Sequence, residues 1–379
     1  MLFFYFSLAI SLITITLNIY LVVSFRKIRS VNEQPIIADL PPVAIIIAVR
    51  NEEEDLAKAL QSVCHINYSN SRIIVVNDRS TDRTADILRD FKVNYPQLTI
   101  TTVTALPDGW LGKNNALYQG YLSSTEEWML FTDADIVFHT DALSKAVSYA
   151  VTNKLDHLAI LPRVVSPSPV LNSVLATFTI LLMMHLRPWD AKKPGSKAYI
   201  GIGAFNLVRR VAYEKAGTHV LIKLRPDDDL QLGFRIKSAG LSQEALIGNE
   251  YVSLEWYKNL RQLGNGLLKN SFSVANYNTG KAIVNIILIL ISVALPMPLM
   301  FIFGSAIVRS MAGIVLLTHI GYMAVIPPNK WWYAFMIPFA GFFMAYTTLR
   351  ATYITLKQGG IYWRESFYSL DMLKGKNES

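Results

Sequence analysis

Residues 43–63, VAIIIAVRNEEEDLAKALQSV, decide the fold class. Val43–Val49 carries no charge and is mostly β-branched, which suits a strand buried on both faces. A charged turn follows, and Leu56, Leu60 and Val63 then recur at helical spacing, predicting a helix over Leu56–Val63. The pattern returns at 71–88, SRIIVVNDRSTDRTADIL, as a strand Arg72–Asn77, a loop, and a helix that Ser80 or Thr81 is expected to cap. Further strands are expected at Leu98–Val103, Trp128–Phe131 and Leu158–Pro162, and helices at Asn114–Ser123 and Leu143–Val151. Such alternation means an α/β fold with a mostly parallel sheet covered on both faces. AVRNEEE stands where a dinucleotide-binding fold would carry its glycines, and the chain has no GxxxxGK[ST], so NAD-binding and P-loop enzymes are disfavoured.

Hydrophobic residues reach 52% of the chain and charged residues only 17%, which suits a membrane protein with a water-facing part and excludes a disordered or collagen-like one. The lone Cys64 excludes an internal disulfide. Residues 1–25 hold no charge, and Ala282–Thr355 holds only Arg309, Lys330 and Arg350. Over 26–281 the two signs nearly balance. That is not the concentrated basic face of a nucleic-acid binder, whereas a slight positive excess suits a domain held against the anionic headgroups of a bilayer.

Leu2–Val23 is long enough to span as an N-terminal transmembrane helix (within 1–25), at about 1.5 Å rise per residue through roughly 30 Å of hydrocarbon. No basic residue precedes it and no small-x-small site follows it, which disfavours a signal peptide. Arg26, Lys27 and Arg29 put the next domain, residues 40–281, on the cytoplasmic side. Three more spans are expected within 282–355, at Ile283–Phe303, Ala306–Ile326 and Trp331–Leu349, with kinks at Pro296, Pro298 and Pro338. A polar, weakly basic tail, 356–379, follows. One span plus three would leave that tail outside, yet Lys357, Arg364, Lys374 and Lys376 argue for inside, so the count stays open by one. SPVLNSVLATFTILLMMHLRPWD (168–190) is read as an interfacial segment near 168–186, the alternative being a buried core helix.

In open α/β sheets ligands bind beyond the carboxyl ends of the strands. Three acidic clusters are expected near there: NDRSTD (77–82), TDAD (132–135), and Asp227-Asp228-Asp229 just before a helix Leu230–Ala239. An extended backbone would put Asp133 and Asp135 on one side. Two such carboxylates can hold a divalent cation against a diphosphate, since Mg²⁺ and Mn²⁺ prefer hard oxygens.

These residues resemble the membrane-bound inverting glycosyltransferases of family 2, which have the GT-A fold. The resemblance runs from VAIIIAVRNEE to GGIYWRESFYSL (359–370) and is strongest over 43–240. It implies a nucleotide-sugar donor, a UDP-sugar, with Asp78 recognising uracil and Val49, Asn51, Glu52 and Asp82 lining the nucleotide. It implies Mn²⁺ or Mg²⁺ at the Asp133/Asp135 pair, with Asp135 as the metal ligand. DDDLQLGFRIKSAG (227–240) would supply the general base, Asp228, with Asp227 before it and Asp229 as the alternative register. GWLGKNNALYQG (109–120) would bring Lys113 to the donor diphosphate. AYIGIGAFNLVRR (198–210) is similar to the family's glycine-rich acceptor floor, with Gly201 and Gly203 allowing close approach, the alternative being a plain edge strand.

YKNLRQLGNGLLKNSF (257–272) lacks the Arg-Trp of the processive polysaccharide synthases and is similar to the hopanoid-associated and carotenoid-acid glycosyltransferases. Arg261 and Lys269 would then stand on the acceptor side, unless they mark a solvated amphipathic helix. The expected reaction is inverting transfer to a hydroxyl or acid group of a membrane lipid acceptor. Alternatives are transfer to polyprenyl phosphate, a polysaccharide synthase, and a non-enzymatic scaffold, against which the intact acids argue.

Overall fold

The computed structural model describes residues 1–363 and 366–374, with the backbone alone at positions 269, 270, 363 and 366. Positions 364, 365 and 375–379 of the expected tail lie outside the described residues. The chain forms two units: Ile28–Val165 with Leu186–Glu255, and Met1–Lys27 with Ser166–His185 and Trp256–Ser379.

The first unit is built on strands β1 (Arg29–Ser30), β2 (Val43–Val49), β3 (Ser71–Asp78), β4 (Leu98–Val103), β5 (Trp128–Thr132), β6 (Ile136–Phe138), β7 (His157–Leu161), β8 (Arg163–Val165), β9 (Asn206–Arg209), β10 (Gln243–Ile247) and β11 (Val252–Glu255). Helix α1 (Leu2–Phe25) belongs to the second unit. Helices α2 (Leu56–Cys64), α3 (Thr84–Asn94), α4 (Gly112–Leu122) and α5 (Ala142–Thr152) alternate with the strands; α6 (Pro169–Leu186), α7 (Arg210–Lys215) and α8 (Asp228–Ser238) follow. The large sheet runs β1-β10-β7-β9-β5-β2-β3-β4. Its pairings are parallel except those of β9, which lies antiparallel between β5 and β7. Strands β6, β11 and β8 form a small second sheet.

The unbroken apolar run of β2 now has its reason. Val43, Ile45, Ile47 and Val49 pack into one core with Leu56, Leu60 and Leu88, while Ala44 and Ile46 join Leu117, Tyr213 and Leu232 on the other face. A strand with period-two side chains needs apolar residues at every position when both faces are covered. The α/β architecture and mostly parallel sheet are as the sequence implies. Asn206–Arg209 is not an edge strand; it lies in the middle of the sheet.

In the second unit, Leu2–Phe25, Pro169–Asp190, Ala306–Val325 and Trp331–Gln358 are each long and apolar enough to cross a membrane. Pro169–Asp190, read from sequence as interfacial, meets that measure too. Thr279–Ala294 and Pro296–Phe303 form a pair bent by 47°, a break at the expected proline kink. Pro338 does not kink its helix: it occupies the first turn of Ile337–Gln358, where its missing N–H costs nothing. Asn18 Nδ2 donates to Thr318 Oγ1 at 2.8 Å, joining α1 to Ala306–Val325.

Candidate active site

The loops that follow β2 and β3 are laced together. Asn51 takes a left-handed backbone (φ 53), its N–H donates to Ser80 Oγ at 3.1 Å, and its Oδ1 accepts from Thr81 N–H at 2.8 Å. Glu52 N–H donates to Thr84 Oγ1 (2.9 Å) and Glu53 N–H to Asp82 Oδ2 (3.1 Å). Ser80 and Thr81 are thus committed to Asn51 and do not cap the helix. It starts at Thr84, whose N–H is accepted by Asp82 Oδ1 at 3.0 Å. Burial opposes ionisation of Asp82, but the hydrogen bonds from Thr84 and Glu53 outweigh it and hold the carboxyl below its ordinary range. Asp78, 3% exposed at the end of β3, is held by Arg79 through Nε–Oδ1 (2.8 Å) and Nη2–Oδ2 (3.0 Å), with Arg50 Nη1 at 3.9 Å. The Val49 side chain lies in the core, which leaves its backbone for any ligand contact.

Asp133 directly follows β5, whereas Asp135 lies in a turn rather than on the extended backbone expected for the pair. Both stand in the short link between β5 and β6. The turn still brings the acids together: burial, then Asp133 and Glu52, pushes the Asp135 carboxyl up to about 7. The third cluster is likewise displaced from its expected place, since α8 begins at Asp228 rather than at Leu230 and includes Asp228 and Asp229 in its first turn.

Lys113 ties the clusters to one another, its Nζ standing 2.8 Å from Asp133 Oδ1 and 3.2 Å from Asp228 Oδ1. Burial works against its charge, but Asp133, Asp228 and Asp229 more than offset that and hold it protonated. A small, open pocket lies here, lined by Lys113, Asp133, Gly203, Asp228, Asp229 and His219 among others. The three neighbouring acids differ in what holds them. Asp227 is gripped by Arg225 at 2.9 Å through both oxygens and by Gln231 at 2.8 Å. Asp229 accepts from Gly203 N–H (2.6 Å) and Leu230 N–H (2.8 Å), and burial followed by Asp228 pushes it to about 7. Asp228, 3% exposed, faces the Lys113 ammonium, and burial raises its pKa despite that cation.

The glycine-rich segment before β9 is the floor against which these acids pack. A Cβ on Gly203 would stand 2.5 Å from Asp133 Oδ2, and one on Gly201 would stand 1.8 Å from the Asp229 carbonyl oxygen. Gly201→Ala is therefore expected to destabilise the protein by about 1–3 kcal/mol through overpacking. The check is a lowered Tm in detergent, and an unchanged Tm would mean the contact has slack. Arg261 is an exposed residue of the helix Leu260–Gly266 in the other unit, and the Lys269 side chain lies outside the described residues. Sequence reading missed His219 and Tyr213, which belong to no motif, and gave no role to Asn114, although it stands in GWLGKNNALYQG beside Lys113.

An α/β sheet with acids at the carboxyl ends of its strands, and a lysine joining two of the clusters, is a domain of the GT-A type. That fold is also found in a mannosyltransferase from Pyrobaculum calidifontis solved with GDP-Man and Mn²⁺ (TM-score 0.57, 15% identity, 93% of this chain and 97% of that one). Residues 44–217, a little under half of the chain, match the model described as "Glycosyl transferase family 2". Among its relatives, a probable glycosyltransferase of Bacillus subtilis is 35% identical over 99 residues, 26% of this chain and 23% of the relative. The poly-beta-1,6-N-acetyl-D-glucosamine synthase of Staphylococcus epidermidis is 31% identical over 133 residues (35% and 31%). A 4,4'-diaponeurosporenoate glycosyltransferase of Staphylococcus aureus is 25% identical over 219 residues (57% and 56%). The chain thus spans between about a quarter and just over half of the length of these curated relatives.

Proposed function

We propose that this chain transfers a sugar, with inversion, from a UDP-sugar to a hydroxyl or acid group of a membrane lipid, with its catalytic unit on the cytoplasmic side. The observation that carries the reading is Lys113, which contacts both the Asp133 cluster and Asp228 beside one pocket. An anionic diphosphate entering there would draw the ammonium to itself and release Asp228 from its ion pair. Asp228 can then take the proton from the attacking acceptor oxygen as that oxygen bonds to the sugar carbon. The bond from that carbon to the diphosphate breaks, and its electron pair leaves with the nucleotide. Asp227 and Asp229 are held by their own fixed donors and act by keeping the first turn of α8 in place.

Among the described residues no three His, Cys, Asp or Glu are arranged to hold a metal by themselves. The donor set nevertheless suits Mn²⁺ or Mg²⁺, which commonly take one or two carboxylates and complete their shell with phosphate and water. The crowding of Asp135 by Asp133 and Glu52 is relieved by an added cation. Asp135 and Asp133 would hold the ion, which supplies countercharge to the departing diphosphate.

The lipid acceptor is supported by the apolar helices at both ends of the chain and by the relative whose name gives a carotenoid acid as substrate. The cytoplasmic placement rests on Arg26, Lys27 and Arg29 after the first apolar helix. The test offers protein purified in detergent a panel of UDP- and GDP-sugars with total lipid extract or polyprenyl phosphate. Mass spectrometry with donor in excess is expected to show one sugar added to a lipid. A ladder of repeated additions, or equal activity toward short water-soluble acceptors, would overturn the reading.

A further inference from the structure

We infer that His219 is a specificity-determining residue, donating a hydrogen bond from Nε2 to a hydroxyl of the sugar being transferred. The inference rests on the nucleotide-sugar reading above and adds a contact to it. Tyr213 OH accepts the backbone N–H of His219 at 3.0 Å and lies 2.6 Å from its Nδ1. The hydroxyl has one proton to give, and Nδ1 is the acceptor beside it. With Tyr213 donating to Nδ1, the ring proton sits on Nε2, and His219 is among the residues that line the pocket. Burial, reinforced by Lys113, lowers the pKa of His219 to about 3, so the ring is a neutral donor throughout the working range.

The backbone is bent to deliver this ring. Gly217 and Thr218 both have positive φ, 92° and 57°. For β-branched Thr218 that is a strained conformation, of the kind retained where surrounding structure enforces it. The enforcement is visible: Thr218 N–H donates to the Tyr213 carbonyl at 3.0 Å, and Thr218 Oγ1 accepts from Val220 N–H at 3.2 Å. Just beyond, Asn114 Nδ2 lies within hydrogen-bond reach of the carbonyls of Ile222 (2.9 Å), Lys223 (3.2 Å) and Arg225 (2.9 Å), and Leu111 N–H donates to the Lys223 carbonyl (2.9 Å). His219 is thereby fastened to the start of α4, which also carries Lys113. A sugar hydroxyl both gives and accepts a hydrogen bond. A neutral N–H beside the carboxylates of Asp133 and Asp228 meets both needs, whereas a phosphate would be met by Lys113.

Calorimetric binding of UDP alone is compared with that of whole UDP-glucose, UDP-galactose, UDP-N-acetylglucosamine and GDP-mannose, for wild type, His219→Phe and His219→Gln. Wild type is expected to bind one of the sugars more tightly than its bare nucleotide. His219→Phe should lose about 3- to 10-fold of that sugar increment, the size of one neutral hydrogen bond, with affinity for the bare nucleotide unchanged. His219→Gln, which keeps an N–H donor, should recover part of it. An intact increment in His219→Phe, an equal loss for bare nucleotide and nucleotide-sugar, or no increment in wild type would overturn this inference while leaving the nucleotide-binding reading standing. Failure of wild type to bind any nucleotide or nucleotide-sugar would remove that reading and this inference together.

Discussion

Asp135→Asn is expected to lower sugar transfer by about two to four orders of magnitude, because a cation at a leaving diphosphate contributes several kcal/mol of charge stabilisation. The variant removes one charge from a crowded group of acids, so it should fold and insert at least as well as wild type. Transfer rates and Tm of the purified proteins, measured side by side, separate loss of chemistry from loss of structure. Wild type in EDTA should fall comparably and recover on adding Mn²⁺ or Mg²⁺. Full activity in EDTA would sink the assignment of Asp133 and Asp135 to a metal.

The second large effect is expected at Asp228. Replacing it by Asn removes a proton acceptor needed mainly in the transition state, so kcat should fall by about 10²–10⁴-fold. Affinity for UDP, read by calorimetry, should change little, since the pocket keeps its shape and Lys113 keeps Asp133 as a partner. Asp229→Asn is the necessary comparison. Its carboxylate accepts two backbone N–H groups, so that variant should lose stability more than turnover. If instead Asp229→Asn abolished transfer with Tm unchanged and Asp228→Asn were mild, the base would be Asp229.

How far the sequence could be read depended on where the information lay. Strands β2 and β4 both fall where predicted, but for different reasons: burial on both faces of β2 leaves a continuous apolar signal, whereas β4, LTITTV at the sheet edge, is only partly buried and is marked by its β-branched residues. Strand β9 was not legible: four residues, Asn206–Arg209, look like any short edge, and only its two antiparallel partners reveal a central strand. Helix starts were less readable than strands. Ser80 and Thr81 have the chemistry of caps, but a loop distant in sequence recruited them first. The triple aspartate reads as a loop by composition, yet the first turn of a helix favours acids and absorbed two of the three. The acids were legible as clusters, of which two stand at the ends of strands β3 and β5 and the third opens α8 instead. The ion pairs of Lys113 with Asp133 and Asp228 were not, and neither was His219, whose role depends on a hydroxyl six residues earlier in the chain.

The pairing of β1 with β10 has a consequence for how the protein is made. Arg29 pairs with Leu246 and Ser30 with Ile247, so one edge of the sheet joins almost the first residues of the catalytic unit to almost its last. At roughly 5–20 residues per second, a ribosome makes the two halves of that edge about 10–40 s apart. Until then β7 has no β10 beside it, and an uncovered strand edge invites pairing with another chain. Meanwhile α1 and α6 are already made and apolar enough to enter the bilayer. The sheet is therefore completed only after α1 and α6 have been made, and chains stalled before Gln243 should be prominent clients of chaperones and proteases.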